Sequence, residues 1–470
     1  MGRAGSILLV NGTPYAWRLE TKSSGHMEAW TPPEFVFPGT SASILVDYAS
    51  PEPQSAGINK FFWGKAPDPI LPPRLCYGLA KYYLEGTENS FIVHSGCNAV
   101  NNTLLYPTQV RFDGFKACKS GTTSVSIGYL GMDGIHRLQF YLSGQEGEFC
   151  TSESPYGWMH INLKMLGPRT LRQLCLPASH ASGMSKAEGT NFYFGNSSVI
   201  TQDKPVRYQL NTGCRYLDTQ LVLDNGTFRT SYGEIRALIG WVGAYGQSIL
   251  EVIDDLNAFT RCHGELIILR LSGMTSKQRD YQSLNQEELD DLLRLLDSKL
   301  ENLFTVSDGT EDLTSIPLST FIGTHKSAVL VIVDNEGTSI PSALDQRGFY
   351  RPSQLLPNLA EVSLERKWFN IDPEKMARCA TQDVQIIRER DPKCFVWLRW
   401  HVVSGTADDV GAFVGGDTLK SVWEITEPLL YDHVLSRCTR KAFPNVISTD
   451  FTNENVAALC MAINQYVAHS

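Results

Sequence analysis

The sequence predicts an α/β protein, a parallel sheet or barrel preceded by an all-β sandwich, and two observations carry that expectation. Up to about residue 157, short runs of alternating apolar and polar residues are separated by Gly, Pro, Ser and Asn clusters, the spacing of a sandwich. Beyond Trp158, strand-like apolar runs alternate with helix-like stretches, the pattern of parallel strands joined by helical crossovers. A chain of 470 residues is long enough for two or three domains with separate cores, and the boundary is expected between 157 and 158.

In chain order, the sandwich strands are expected at SILLVNG, ASILVDYA, NSFIVHSG, TSVSIGYLG and HRLQFYLSG. Trp17, Trp30, Phe35 and Phe37 are expected in its core, with a glycan- or lipid-facing patch as the alternative. In the second part, strands are expected over Gln173–Ser179, Arg215–Leu223, Glu265–Ser272, Ala328–Asn335, Cys394–Val403 and Asn445–Phe451. The clearest helix runs from Asn285 to Phe304, where Leu289, Leu292, Leu293, Leu296 and Leu300 recur at helical spacing and form a core-facing stripe.

Composition removes several function classes. With 41 basic and 50 acidic residues, a net charge of -9, there is no Lys/Arg stripe to neutralise phosphates, which argues against nucleic-acid binding. No run of 18 apolar residues occurs, so no transmembrane segment is expected. Eleven cysteines lie singly, without CxxC pairs or zinc spacings, so neither a metal nor any other cofactor is expected and the thiols are read as reduced. The N-terminus matches the myristoylation pattern M-G-x-x-x-S but runs straight into a strand-like segment. It lacks the apolar core of a signal peptide. A cytoplasmic location is therefore expected, with secretion the alternative if a signal peptide precedes these residues. Of four glycosylation sequons, those at Asn11 and Asn225 read NGT, an ordinary turn tripeptide. Peripheral membrane contact through the N-terminal domain is the one membrane association left open.

The stretch LCLPASHA, Leu174 to Ala181, places His180 at the exit of a short apolar strand. The mouth of a barrel is a natural place for an acid/base group. Strand alternation then sorts the remaining polar residues, because neighbours on a strand face opposite sides. On CFVWLRWHVV one face carries Val396, Leu398, Trp400 and Val402, and the other Trp397, Arg399 and His401. By the same period Asp218 shares a face with Gln220, Arg270 with Ser272, and Ser448 with Asp450. These residues are expected together near one mouth, either as a substrate-binding lining or as a buried ion-pair network left from an ancestral enzyme, for example Arg270 or Arg399 with Asp218. His325 is expected in a surface loop at the opposite end.

The segments LCLPASHAS, QLNTGCRYLDTQLV, SYGEI, ILEVIDDLNAFTRCHGELIILRLS and FPNVISTDF, in that order, resemble the phosphatidylinositol-specific phospholipase C X-domain family. The likeness covers roughly residues 158 to 468, and its most specific block is Q-L-x-x-G-x-R-x-x-D followed by E-x-I-I-L. The resemblance implies a distorted TIM-type (β/α) barrel of the PLC-like phosphodiesterase type. It also implies two histidines, each oriented by a carboxylate, one acting as general base and one as general acid, with a basic residue on the phosphate. Carried over by position, the first histidine is His180 and its carboxylate Asp450. The second histidine position holds Tyr232. The residue after the first histidine is Ala181, and the phosphate-binding arginine position holds Gln220. Of the calcium ligands of metal-dependent relatives, only Asp218 has a counterpart.

These departures have a size. Removing one preorganised donor to a phosphate oxygen costs ~10²–10³ in rate, and losing the general acid costs about another 10²–10⁴. A tyrosine with an unperturbed pKa near ~10 is a weaker acid than imidazolium. The expectation is a divergent enzyme that keeps a His180–Asp450 base, with Tyr232 as acid. It performs elimination, cyclisation or isomerisation on a small or lipid-derived molecule. The alternatives are a catalytically idle lipid- or glycan-binding protein and a weak metal-independent phosphodiesterase.

Overall fold

The computed structural model describes residues 4–38, 40–49, 76–96, 98–100, 103–105, 107–116, 123–129, 137–147, 149–151, 157–189, 198–236, 240–306, 312–323, 326–345, 347–355, 358–365, 372–403 and 418–469. His325 and the sequons at Asn101 and Asn196 lie outside these residues. The chain forms two compact units, Met1–Glu153 and Ser154–Ser470. Among the described residues no helix is long and apolar enough to cross a membrane.

The N-terminal unit contains two larger sheets. Cys150–Thr151, Arg137–Ser143, Ala4–Gly12, Ser41–Tyr48 and Met27–Thr31 lie side by side in one. Ser124–Tyr129, Pro107–Asp113, Ser90–Gly96, Tyr77–Leu84, Trp17–Gly25 and Phe35–Val36 make the other. Alternation turns one face of each sheet inward. Ile7, Ile44, Val46 and Phe140 from the first share one apolar cluster with Trp17, Tyr82, Phe91 and Val110 from the second. The four aromatics expected in the core divide: Trp17 and Trp30 are buried there, whereas Phe35 and Phe37 stack on each other at 5.6 Å and Phe37 is 58% exposed. Asn11 is a second correction, because it sits in a strand rather than a turn. Its buried side-chain amide donates to the carbonyls of Tyr15 and Val36.

In the C-terminal unit we number the strands β1 (Leu176–Ser179), β2 (Tyr216–Asp224), β3 (Thr227–Arg236), β4 (Gly240–Ser248), β5 (Leu266–Ser276), β6 (Ala328–Val333), β7 (Phe349–Tyr350), β8 (Leu359–Glu365), β9 (Phe395–Val403) and β10 (Val446–Thr449). Eight of them form one parallel sheet in the order β8-β9-β10-β1-β2-β5-β6-β7. The first strand of the unit therefore lies beside the last, so the sheet curls into a half-barrel. The six expected strands correspond to β1, β2, β5, β6, β9 and β10. The first of them is shorter than expected, because Leu171–Gln173 forms a 3-10 turn and the strand begins at Leu176. Strands β3 and β4 extend β2 antiparallel, and Asn225 and Gly226, both at positive φ, make the two-residue turn between β2 and β3.

The helices that cover this sheet follow their sequence signals. Helix α1 (Ile249–Thr260) and helix α2 (Gln286–Lys299) each begin with a capping box, at Ser248 with Glu251 and at Asn285 with Glu288. Helix α2 stops at Lys299, short of the expected Phe304, because Leu300 turns to an extended conformation, although its side chain stays buried. Ile253, Leu256, Leu289, Leu292 and Leu296 meet the outward strand residues Leu217, Leu269, Leu271, Val329 and Val331 in one core. With those residues facing the helices, the period of two sends Tyr216, Asp218, Gln220, Ile268, Arg270 and Ser272 to the other face of the sheet.

Before β2 and β5 lies a fully buried ion pair. Arg215 Nε donates to Glu265 Oε2 at 2.8 Å, with neither side chain exposed. Its Nη1 reaches the carbonyls of Leu210 and Cys214, and its guanidinium lies 4.9 Å from the Phe259 ring. Glu265 also accepts the backbone N–H groups of Met159 and His160. Such a pair is costly to break, because the surviving partner keeps its desolvation penalty without compensation. Glu265→Ala should lower the unfolding free energy by about 3–5 kcal/mol in urea denaturation. A loss under about 1 kcal/mol would show that the pair is not structural.

Candidate active site

Backbone pairing sets the site. β1 and β10 run parallel from Leu176 opposite Val446 to Ser179 opposite Thr449, so the next residues, His180 and Asp450, emerge side by side. His180 Nδ1 and Asp450 Oδ1 are 2.7 Å apart and both side chains are buried. Ionised Asp450 can only accept, so Nδ1 carries the proton and the lone pair of Nε2 is left for other work. Immediately beyond the pair, both strands turn through left-handed residues, Ala181 at φ 42° and Phe451 at φ 47°. Non-glycine residues in that region concentrate at functional sites when the surroundings over-determine them.

Two rings flank His180. The imidazole of His401, from β9, stacks face to face on it, with centroids 3.7 Å apart and planes 5° apart. Tyr232, from β3, meets it edge-on at 5.1 Å. Burial, followed by the neighbouring His180 and Arg399, holds the pKa of His401 well below the usual histidine value. Arg399 Nε donates to His401 Nε2 at 3.4 Å, which fits a neutral ring protonated on Nδ1. Burial, with Asp450 adding to it, raises the pKa of Tyr232 and keeps its hydroxyl protonated.

The arginines on the inward face are paired with carboxylates. Arg270 donates through Nη1 to Asp218 at 3.2 Å and through Nη2 to Asp334 at 2.6 Å. Burial opposes its charge, but Asp218 and Asp334 outweigh that and hold its pKa above the ordinary value. Ser272 Oγ also donates to Asp218. Arg399 pairs with Glu361 of β8 at 3.0 Å, not with Asp218 as one expected arrangement had it. Trp397 lies below both arginines, 4.8 Å from the Arg270 guanidinium and 5.4 Å from that of Arg399, and its indole N–H donates to Ser448 at 2.8 Å. Gln220 is half-buried, opposite Ser272 in the sheet. Beside Asp334 opens a cleft of about 290 Å³, lined also by Asn335, Glu336, Thr338 and Arg351.

The structure thus brings His180, Asp450, Tyr232 and His401 into one cluster, ties His401 through Arg399 to Glu361, and joins Asp218, Arg270 and Asp334 into a second group over Trp397. Sequence reasoning missed Asp334, Glu361 and Gln202, whose buried side-chain amide donates to the His180 carbonyl at 2.8 Å. Asp334 was inside an expected strand and directly follows β6, where the period of two carries it to the inward side, and alternation in LAEVSLE marks Glu361. No sequence signal singles out Gln202. The residues do not fit a calcium ion: Asp218 is engaged by Arg270 and Ser272, and among the described residues no three His, Cys, Asp or Glu side chains converge as a metal site.

Among solved structures, the chain is similar to the phosphatidylinositol-specific phospholipase C of Listeria monocytogenes, at 14% identity and a TM-score of 0.46, over 66% of this chain and 98% of that one. It is similar to that of S. aureus at the same identity, TM-score and coverage. No family model and no curated protein matches the chain.

The stacked ring gives a pH dependence. The pKa of His401 is lower folded than unfolded, so below an unfolded value near 6.5 the unfolded chain binds the extra proton and folding stability falls with acidification. In urea denaturation between pH 7 and 5, His401→Phe should flatten this decline relative to the unsubstituted protein. An unchanged slope would assign the acid sensitivity to other groups.

Proposed function

We propose that the Ser154–Ser470 unit is an enzyme of the PLC-like phosphodiesterase type, using a His180–Asp450 general base for elimination, cyclisation or isomerisation of a small or lipid-derived molecule. The observation that carries this reading is the buried 2.7 Å contact between Nδ1 and Asp450, at the end of parallel strands where such sheets keep their active sites. Nε2 of His180 takes the substrate proton, and Asp450 stabilises the imidazolium that results. Tyr232, kept protonated by burial, donates to the substrate oxygen that gains charge or returns a proton to it. Gln220, Asp218, Arg270, Arg399 and His401 line the substrate, over a floor made by Trp397.

The pairing of the arginines argues against an orthodox phosphodiesterase. A phosphate would have to displace Asp218 and Asp334 from Arg270, or Glu361 from Arg399. Such exchanges carry the cost of leaving partly buried carboxylates unpaired. A neutral polyol or carbonyl compound meets no such cost.

Consumption of metabolites from a cell extract, followed by mass spectrometry, tests the reading. His180→Ala should lose about 10²–10⁴ in rate on whatever substrate is found, and Tyr232→Phe should also slow it. Full activity in both variants would refute the mechanism. Clear cleavage of phosphatidylinositol, with or without calcium, would establish the phosphodiesterase reading instead.

A second reading, a lipid-binding protein whose barrel is scaffold, is favoured by one observation. In the N-terminal unit, Phe37 is exposed against Phe35, and the Arg18 guanidinium lies 5.8 Å from the Phe35 ring. An apolar pair beside a cation suits the interface of an anionic bilayer. Flotation of the full chain with phosphatidylcholine–phosphatidylserine vesicles should then show binding that Phe37→Ala weakens and His180→Ala leaves intact. No flotation of the unsubstituted protein would dismiss it.

A further inference from the structure

The ladder between β1 and β10 ends at Ser179 and Thr449, and the last backbone bond between the two exits runs from His180 N–H to the Thr449 carbonyl at 3.0 Å. Beyond it both chains enter left-handed turns at Ala181 and Phe451. Each such residue costs about 1–2 kcal/mol. Regular pairing thus brings His180 and Asp450 side by side but ends there, and the two exits are fastened from outside both strands.

That support comes from the segment ahead of Val206. Gln202, 1% exposed, donates through Nε2 to the His180 carbonyl at 2.8 Å and to the Thr449 carbonyl at 3.2 Å. Its Oε1 accepts the Thr452 N–H at 3.0 Å. The preceding Thr201 completes the arrangement: its hydroxyl donates to the Ala181 carbonyl at 3.1 Å, and its own carbonyl accepts the Phe451 N–H at 2.7 Å. One buried primary amide thus bridges the residue bearing the base and the residue before its carboxylate, using both N–H groups and the oxygen. The five bonds reach both sides of the His180–Asp450 contact, two on the His180 exit and three on the Asp450 exit.

We propose that Gln202, aided by Thr201, is a positioning residue that sets the distance between His180 and Asp450. The catalytic meaning of this role rests on the general-base reading above; the positioning itself does not. With the bridge removed, the two strand exits relax and the Nδ1–Asp450 bond lengthens. The carboxylate then stabilises the imidazolium less, and the proton affinity of His180 falls.

The test is the titration of His180 by NMR in full-length protein labelled at histidine nitrogen, with His180→Asn assigning the signal. Gln202→Met keeps the length of the side chain and removes all three hydrogen bonds. It should lower the His180 midpoint by about one pH unit, a tenfold loss of proton affinity. Asp450, His401 and Tyr232 face His180, with Arg399 behind His401, and Gln202→Met changes none of these residues, so the difference reports the bridge. Asn464→Ala is the control, because Asn464 is equally buried and clasps the other end of β1 through the Cys175 backbone. It should lower the melting temperature and leave the midpoint in place. An unchanged midpoint in Gln202→Met, or an equal shift in Asn464→Ala, would overturn the proposal. If Gln202→Met does not fold, Thr201→Val removes a single bond and should shift the midpoint the same way by less; no shift would again overturn it. Failure of the general-base reading shows separately, as undiminished turnover by His180→Ala.

Discussion

The pairing of Leu176–Ser179 with Val446–Thr449 joins the first parallel strand of the C-terminal unit to its last, and the polar mouth exists because of it. His180 and Asp450 are 270 positions apart in the chain. They meet only because the first and the last parallel strands of the unit become neighbours within the sheet. Loop closure over such a length adds little to the entropic cost beyond that of a moderate loop, since the cost grows only logarithmically. What must be supplied is register, since a slip of one residue would send His180 toward the helices and an apolar neighbour into the mouth.

A second constraint shapes everything around that contact: charges on the inner face of a curled sheet have to be matched. Arg270 with Asp218 and Asp334, Arg399 with Glu361, and Arg215 with Glu265 before the strands begin satisfy the same requirement in three places. The difference among them is exposure. The Arg215 pair is fully buried and serves packing, whereas Asp334 and Glu361 are each about one-third exposed. Stacking of His401 on His180 fits this accounting, because two protonated rings at 3.7 Å would place like charges against each other.

Much of this was legible in the residues. Apolar runs at 215–223, 265–272 and 394–403 marked strands because their outward residues, such as Leu217, Leu269 and Leu398, must be buried whatever the topology. The same period put Asp218, Arg270, Arg399 and His401 on the inward face. Glu361 escaped because LAEVSLE is short and carries two glutamates, although Ala360, Val362 and Leu364 alternate correctly. Phe37 was expected inside and lies outside, since apolarity alone does not say which side of an edge segment meets solvent. Gln202 had no signal at all: its bonds go to backbone carbonyls, which every residue possesses.

The sequence by itself determined the class of the second unit, six of its strands, the faces of their polar side chains and, through its motif, the candidacy of His180 and Asp450. These follow from local periodicity and residue chemistry, which act within a few positions of the chain. Only the tertiary structure decided which carboxylate each arginine meets, that His401 stacks on His180 at all, and that one glutamine fastens both strand exits. Those are matters of which distant strands become neighbours and in what register, and they depend on packing across hundreds of residues rather than on any local pattern.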